Sequence, residues 1–332
     1  MISEEKAENE PVKNKTISVI TPCFNEESGI VECYEAVRAL FDNELHDYCR
    51  EHIFCDNASS DSTVEILRKI AATDSNIKII VNSRNFGSMR STYNGVMHAT
   101  GDAVLLFLPA DLQDPPELIP EFVHLWEQGY EIVFGLRATR EESLLLRTVR
   151  KSYYRILSRF SYVNYPPDAG DFQLVDRAVL LAMKRFHDAQ PFMRMLTFET
   201  GFRSIGVPYR WRARKHGKSR NSLYHLIDEG LTGIVSFSTI PLRLVLFAGV
   251  AIAGLSFLFA ILTVLLRIFD VEVGPRGTTT IVSAIFFFAG VQLTVLGLMG
   301  EYITTIFTQV RDRPLIIERE TINFGAEAGE SA

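Results

Sequence analysis

The chain has 332 residues, 47% of them hydrophobic and 22% charged, and its formal net charge is −6 at pH 7. These proportions exclude a disordered or collagen-like chain, and the length suits roughly two domains. The mildly negative balance argues against nucleic acid as the main partner. A mean hydropathy of +0.10 beside 34 basic and 40 acidic side chains means that the apolar residues are concentrated somewhere.

Residues 1–15, with Glu4, Glu5, Glu8 and Glu10, read as a solvated acidic tail. No basic-apolar stretch opens the chain, which predicts no cleaved signal peptide and a cytosolic N-terminal domain. Thr16–Thr21 is a β-branched run that predicts a buried strand. Asn25–Leu40 has helical spacing, with Ile30, Cys33, Val37 and Leu40 on one face. Strands follow at His52–Cys55, Ile77–Val81, Ala103–Leu108 and Ile132–Gly135, and helices at 60–70, Ser88–Ala99 and from Pro115 to Gln128. Asp114 reads as the cap of that last helix, ahead of two prolines. The alternation predicts an α/β fold with a mostly parallel sheet. Cys23, Cys33, Cys49 and Cys55 lack metal-ligand spacing and read as free thiols, with a zinc site second.

Beyond Gly135 the pattern changes. Residues 144–163 predict a basic amphipathic helix, suited either to an anionic membrane surface or to packing on the sheet with solvated arginines. Arg203–Arg220 holds seven basic residues and His216 with no acid. Residues 221–240 predict an amphipathic juxtamembrane helix. Two uncharged runs, Leu244–Leu266 and Gly277–Gly300, predict membrane-spanning helices at about 244–266 and 278–300, each able to reach roughly 35 Å across a ~30 Å hydrocarbon core. The intervening loop has one arginine against Asp270 and Glu272, so the basic flanks place both termini in the cytosol. Residues 311–332 read as a solvated cytosolic tail. Glu301, at the edge of the second span, reads as a structural residue.

Four polar clusters fall where strands turn into helices: PCFNEE (22–27), DNASSDST (56–63), NSRNFG (82–87) and PADLQD (109–114). Ligands of open parallel sheets bind at that edge. Neither a dinucleotide fingerprint nor a P-loop is present, and no zinc motif appears. Asp111 and Gln113 offer oxygen ligands suited to Mg²⁺ or Mn²⁺ bridging a diphosphate; the alternative makes Asp111 a turn residue.

Together with ATGDAVLLFLPADLQDPPELI, these motifs resemble those of family 2 glycosyltransferases with the GT-A fold. DAGDFQLVDR (168–177), TGFRSIGVPY (200–209), SFSTIPLR (236–243) and GEYITTIFTQVRDRP (300–314) resemble the polyprenyl-phosphate glycosyltransferases, a group that includes dolichol-phosphate mannosyltransferase-like enzymes and bacterial undecaprenyl-phosphate sugar transferases. The resemblance implies a GT-A domain over 16–220, two C-terminal spans in the inner membrane, and an inverting, metal-dependent hexosyltransferase. The donor would be a nucleotide sugar, UDP-linked, and the acceptor undecaprenyl phosphate, the product serving cell-envelope glycans. Pro22, Phe24, Glu26, Asp56, Arg84 and Asp111 would line the donor pocket. Asp111 and Gln113 would hold the metal. Asp171 would lie by the reacting sugar as base or orienting group, with Arg194 beside it, and Arg194, Arg214, Ser219 and Arg220 would meet acceptor phosphate. A homo-oligomer would help two spans enclose a lipid.

Three positions depart from the family pattern. Pro109 replaces the first acid of D-x-D, Asn57 follows Asp56 where a second acid is usual, and Arg220 stands for lysine. A processive polysaccharide synthase would carry more spans and a Q-x-x-R-W motif, which Gln190, Arg194 and Trp211 do not form. A non-catalytic binding subunit is the rival that Pro109 suggests; Asp56, Asp111, Gln113, Asp171 and Arg194 are all kept.

Overall fold

The computed structural model describes residues 15–139, 166, 169–186, 188, 191–212, 247, 249, 251, 258, 278–311 and 313–325. The acidic N-terminal tail, the basic helix at 144–163, the juxtamembrane helix at 221–240, and all but four residues of the first span lie outside them. Two units divide the chain: residues 1–158, 163–220 and 313–332 form one, and 159–162 with 221–312 the other.

In the first unit the expected strands and helices appear with shifted ends. Strand β1 (Thr16–Cys23) pairs in parallel with β2 (Cys49–Asp56) and with β4 (Ala103–Leu105). β2 starts earlier than its apolar run because Glu51, polar yet buried, is held by the Lys78 ammonium at 2.6 Å, the Ser18 hydroxyl and the Thr100 hydroxyl. β3 (Ile77–Asn82) lies beyond β2. Helices α1 (Ile30–Asn43), α2 (Thr63–Ala71), α3 (Ser88–His98) and α4 (Ile119–Glu127) join these strands, a 3₁₀ turn at Pro116–Leu118 preceding α4. α1 begins five residues later than its spacing predicts, because residues 25–29 make a turn from Asn25 at φ +57°. β4 is shorter than its apolar run. Beyond Leu105 the chain leaves the ladder but still donates Leu108 N–H to Ile20 O.

The sheet is mixed. β5 (Ile132–Thr139) is followed by β6 (Ala169–Asp176), which runs antiparallel between β4 and β5, and β7 (Ser204–Arg210) pairs in parallel with β5. Short helices α5 (Arg177–Met183), capped by the Asp176 carboxylate, and α6 (Met193–Glu199) separate them. Ile17, Val19, Val37, Phe122, Trp126 and Phe172 form one core cluster, and Tyr34, Phe54, Leu67, Ile77 and Ile79 another. α3 packs closest to the sheet at Gly95, where a Cβ would stand 2.3 Å from Cys55 Sγ and 2.9 Å from Ile20 Cγ2. The four cysteines are free thiols, all but Cys49 buried.

The expectation of a solvated C-terminal tail is corrected. Residues Glu318–Ile322 form β8, antiparallel to β3, and complete an eight-stranded sheet of order β7-β5-β6-β4-β1-β2-β3-β8. The segment looks hydrophilic because an edge strand needs ladder hydrogen bonds more than apolar side chains.

In the second unit, α7 (Thr278–Val310) is a 33-residue helix that outruns the second expected span by ten residues. Its stretch Val291–Val310 is long and apolar enough to cross a membrane. Glu301 therefore lies within that stretch. Ile285, Leu293, Ile303 and Phe307 are exposed.

Buried His52 on β2 makes folding pH-sensitive. Its Nε2 lies 2.9 Å from Thr21 Oγ1, its ring stacks on Phe54 at 4.0 Å, and burial, helped by Arg50, brings its pKa down to about 3. The folded ring stays neutral while the unfolded one protonates below about 6.5, so this stability is full above that pH and is lost as pH falls. Between pH 7.5 and 5 the loss is about 2 kcal/mol. Thermal midpoints of wild type and His52→Gln across that range should converge as the pH drops.

Candidate active site

The four polar clusters lie at the carboxyl edge of the parallel strands, the first three stitched loop to loop. After β1, Asn25 N–H donates to Ser59 Oγ at 2.9 Å and Asn25 Oδ1 accepts from Ser60 N–H at 2.8 Å. Glu26 N–H donates to Thr63 Oγ1 at 2.9 Å, and Ser62 N–H donates to Glu27 Oε2 at 3.0 Å. The loops after β1 and β2 thus form one rim. An amide chain ties in the loop after β3: Asn57 Nδ2 donates to Asn85 Oδ1 at 2.9 Å, while Asn57 Oδ1 accepts from Asn82 Nδ2 at 3.1 Å and from Phe86 N–H at 2.9 Å.

Three turn residues here hold left-handed backbones without being glycine: Asn25 at φ +57°, Ala58 at +61° and Leu112 at +53°. For Ala58 and Leu112 that conformation costs roughly 1–2 kcal/mol each, and such strain concentrates where loops must hold a set shape. Leu112 separates Asp111 from Gln113, whose backbone N–H donates to Asp111 Oδ1 at 3.3 Å and whose carbonyl accepts from Arg212 N–H at 3.0 Å.

The individual residues are distributed as follows. Pro22, Phe24, Glu26, Asp111 and Gln113 are half-buried at this edge, and Arg84 is exposed, its guanidinium over the Phe86 ring at 3.9 Å. Asp56 is wholly buried. Burial pushes its carboxyl up, partly offset by Ser59, whose N–H it accepts at 3.0 Å. It therefore shapes the Asn57–Ser59 turn. Arg214, Ser219 and Arg220 lie outside the described residues.

Because β6 runs antiparallel, its first residues reach the same edge. Asp171 there receives two bonds from Arg194 on α6, Nε to Oδ1 at 3.2 Å and Nη2 to Oδ2 at 2.5 Å. Burial alone would raise the Asp171 carboxyl, but Arg194 outweighs it and holds the group below the usual carboxylate range.

The expectation that Asp114 caps a helix is corrected. No side-chain cap bond exists at that helix start; Asp114 is 1% exposed and is bound by the Tyr209 hydroxyl and by Arg137 Nη2 at 3.3 Å. Burial raises its carboxyl, opposed by Arg137 and Tyr209. Arg137 also donates from Nε to Tyr209 OH at 3.1 Å, lies over the Trp211 ring at 5.3 Å, and acts electrostatically on Asp171. Arg137, Tyr209 and Asn57 were not among the expected site residues. The charge of Arg137 inside an apolar strand was the signal for it; nothing local distinguished Tyr209.

Among the described residues no group of three or more His, Cys, Asp or Glu side chains could hold a metal. The donor set of one carboxylate and one amide at Asp111 and Gln113 suits a hard cation that keeps waters and takes oxygens from a bound diphosphate.

Comparison with known proteins identifies the family. Glycosyl transferase family 2 matches residues 18–182, and the GtrB C-terminal hairpin matches 240–306. A bactoprenol glucosyl transferase of Shigella phage SfII is 33% identical over 92% of this chain and 98% of its own length. An undecaprenyl-phosphate 4-deoxy-4-formamido-L-arabinose transferase of Yersinia pestis (strain Pestoides F) is 33% identical over 97% of each. The mannosyltransferase PcManGT of Pyrobaculum calidifontis, solved with GDP-Man and Mn²⁺, aligns with a TM-score of 0.47 at 16% identity over 90% of this chain and 87% of its own. On sequence, and with the hairpin that follows its α/β domain, the chain belongs to glycosyl transferase family 2.

Proposed function

We propose that this protein moves one sugar from a nucleoside-diphosphate sugar, UDP-linked, to undecaprenyl phosphate with inversion, making a lipid-linked monosaccharide for cell-envelope glycans. The observation that carries the reading is the joining of the loops after β1, β2 and β3 by hydrogen bonds, with the loop after β4 and the Asp171–Arg194 pair at the same sheet edge. The acceptor is supported by the names of the relatives, and the membrane by the apolar helix α7. Two spans, cytosolic termini and assembly into an oligomer complete the proposed arrangement.

A phosphate monoester has its second pKa near about 6 and is mostly dianionic in the cytosol, so the nucleophile needs little help from a base. An acceptor oxygen bonds to the anomeric carbon as the bond from that carbon to the diphosphate oxygen breaks, and the electron pair leaves with the nucleoside diphosphate. The protein's work is to bring two anions together in the right geometry. Asp111 and Gln113 would hold Mg²⁺ or Mn²⁺, which neutralises charge on the diphosphate. Asp171, kept ionised by Arg194, orients sugar hydroxyls. Arg194, Arg137 and the basic segment with Arg214, Ser219 and Arg220 supply fixed positive charge and donors for phosphate oxygens.

The test is transfer by the full chain in detergent to undecaprenyl phosphate from UDP- and GDP-sugars, with Mg²⁺, Mn²⁺ or EDTA, read by mass spectrometry of the organic phase. One lipid-linked monosaccharide should form, vanish in EDTA, and fall at least ~10²-fold in Asp111→Ala. Product that survives EDTA removes the cation from the proposal. Absence of product with every donor, from folded protein, overturns the transferase reading.

A further inference from the structure

The strand that follows α7 starts beside the loop expected to meet the donor. Both backbone polar groups of Ser83, one residue before Arg84, are taken by this incoming segment: Ser83 N–H donates to Ile317 O at 2.9 Å, and Ser83 O accepts from Arg319 Nη2 at 3.2 Å. The β3–β8 register shifts at this point, between Val81 and Asn82. The far side of the loop is held by the same strand. Glu318 Oε1 accepts from Asn94 Nδ2 at 2.5 Å and lies 3.4 Å from His98 Nε2, both on α3, which begins where the loop ends.

Further along, Asn323 Nδ2 donates to Ala71 O at 3.0 Å and Ile77 O at 2.9 Å, and Phe324 meets the His98 ring edge-on at 5.5 Å. These contacts anchor the strand independently of the loop. Residues 311–317 join it to α7.

We infer that Glu318 and Arg319 are positioning residues for the donor loop 83–87, setting affinity for the nucleoside diphosphate from the chain segment that leaves the apolar helix. This rests on the proposal that the loop belongs to the donor site. Arg319 holds the first residue of the loop and Glu318 holds the helix that follows it, so their loss loosens the loop and shows in donor binding. An exposed hydrogen bond contributes about 0.5–1.5 kcal/mol, and 1.4 kcal/mol is tenfold in affinity.

The test measures donor KM, acceptor KM and kcat for the full chain in detergent with undecaprenyl phosphate, and UDP affinity by calorimetry with Mg²⁺. Arg319→Ala should raise donor KM and the UDP Kd about three- to tenfold, and the pair Glu318→Ala with Arg319→Ala about tenfold or more. Acceptor KM and kcat should hold, and Arg319→Lys should restore donor KM. Glu320→Ala loses only the exposed pair with Arg68 at 2.5 Å, and should leave donor KM unchanged. Arg84→Ala separates the two ideas. If it raises donor KM while the Glu318 and Arg319 variants do not, the positioning role is overturned and the donor site stands. If Arg84→Ala also leaves donor KM unchanged, the donor-loop reading fails and this inference fails with it. An equal rise in acceptor KM, or no rescue by lysine, likewise overturns the positioning role.

Discussion

Asp171→Asn should lower kcat by about a hundredfold or more while the protein stays folded. Asparagine keeps the shape and one acceptor oxygen, but it removes the charge that balances Arg194 across the 3.2 and 2.5 Å bonds. Preorganised electrostatic groups of this kind are worth roughly 10²–10³ in rate. The pH profile then separates an orienting role from a base. The Asp171 carboxyl is held below its ordinary range, so it remains ionised throughout the neutral region and is lost only at strongly acid pH. The acid limb of kcat/KM should instead lie near about 6, where the acceptor phosphate takes up its proton. Asp171→Asn should depress the plateau and leave that limb in place. A limb that moves or disappears in the variant would make Asp171 the titrating base.

Asp114→Ala should cost about 3–5 kcal/mol of stability, the usual penalty for leaving one half of a buried ion pair alone. Arg137, its partner at 3.3 Å, has only 15% of its side chain exposed, so water cannot replace the lost carboxylate. The Tyr209 hydroxyl loses its acceptor as well. For a domain of this size the thermal midpoint should drop by roughly 10 °C. Asp114→Asn, which keeps an acceptor for Tyr209, should lose less. Because burial already weighs on the Asp114 carboxyl, replacing both charges, as Asp114→Leu with Arg137→Met, should recover much of the loss. Urea melts of these variants test it; a single alanine variant as stable as wild type would mean the pair is solvated in solution.

The sheet was legible where periodicity and burial coincide. β1, β3 and β4 are apolar runs, and α1 shows its buried face as Ile30, Cys33, Val37 and Leu40. β2 was only half legible, because Arg50 and Glu51 hide their partners Asp74 and Lys78 at a distance in sequence. β8 could not be read at all: its Glu318, Arg319 and Glu320 look like a solvated tail, and the pairing partner lies more than two hundred residues earlier. At the site, turn-rich clusters after successive strands announced the edge. They did not distinguish residues that face a ligand from those that hold buried partners, which is why Asp114 turned out to be an ion-pair partner rather than a cap. Arg137 and Tyr209 meet Asp114 only through tertiary packing.

Without β8, β3 would form the margin of the sheet. Its sequence IKIIVN is apolar and β-branched, with Ile79 and Ile80 now wholly covered. An open row of amides and carbonyls on such a strand templates growth by addition of another molecule. β8 substitutes a margin of alternating charge, and at the opposite margin Pro208 on β7 withholds an amide. A chain cut after Asp312 would therefore be prone to sheet-wise self-association, which the alternating charges of the edge strand beyond α7 oppose.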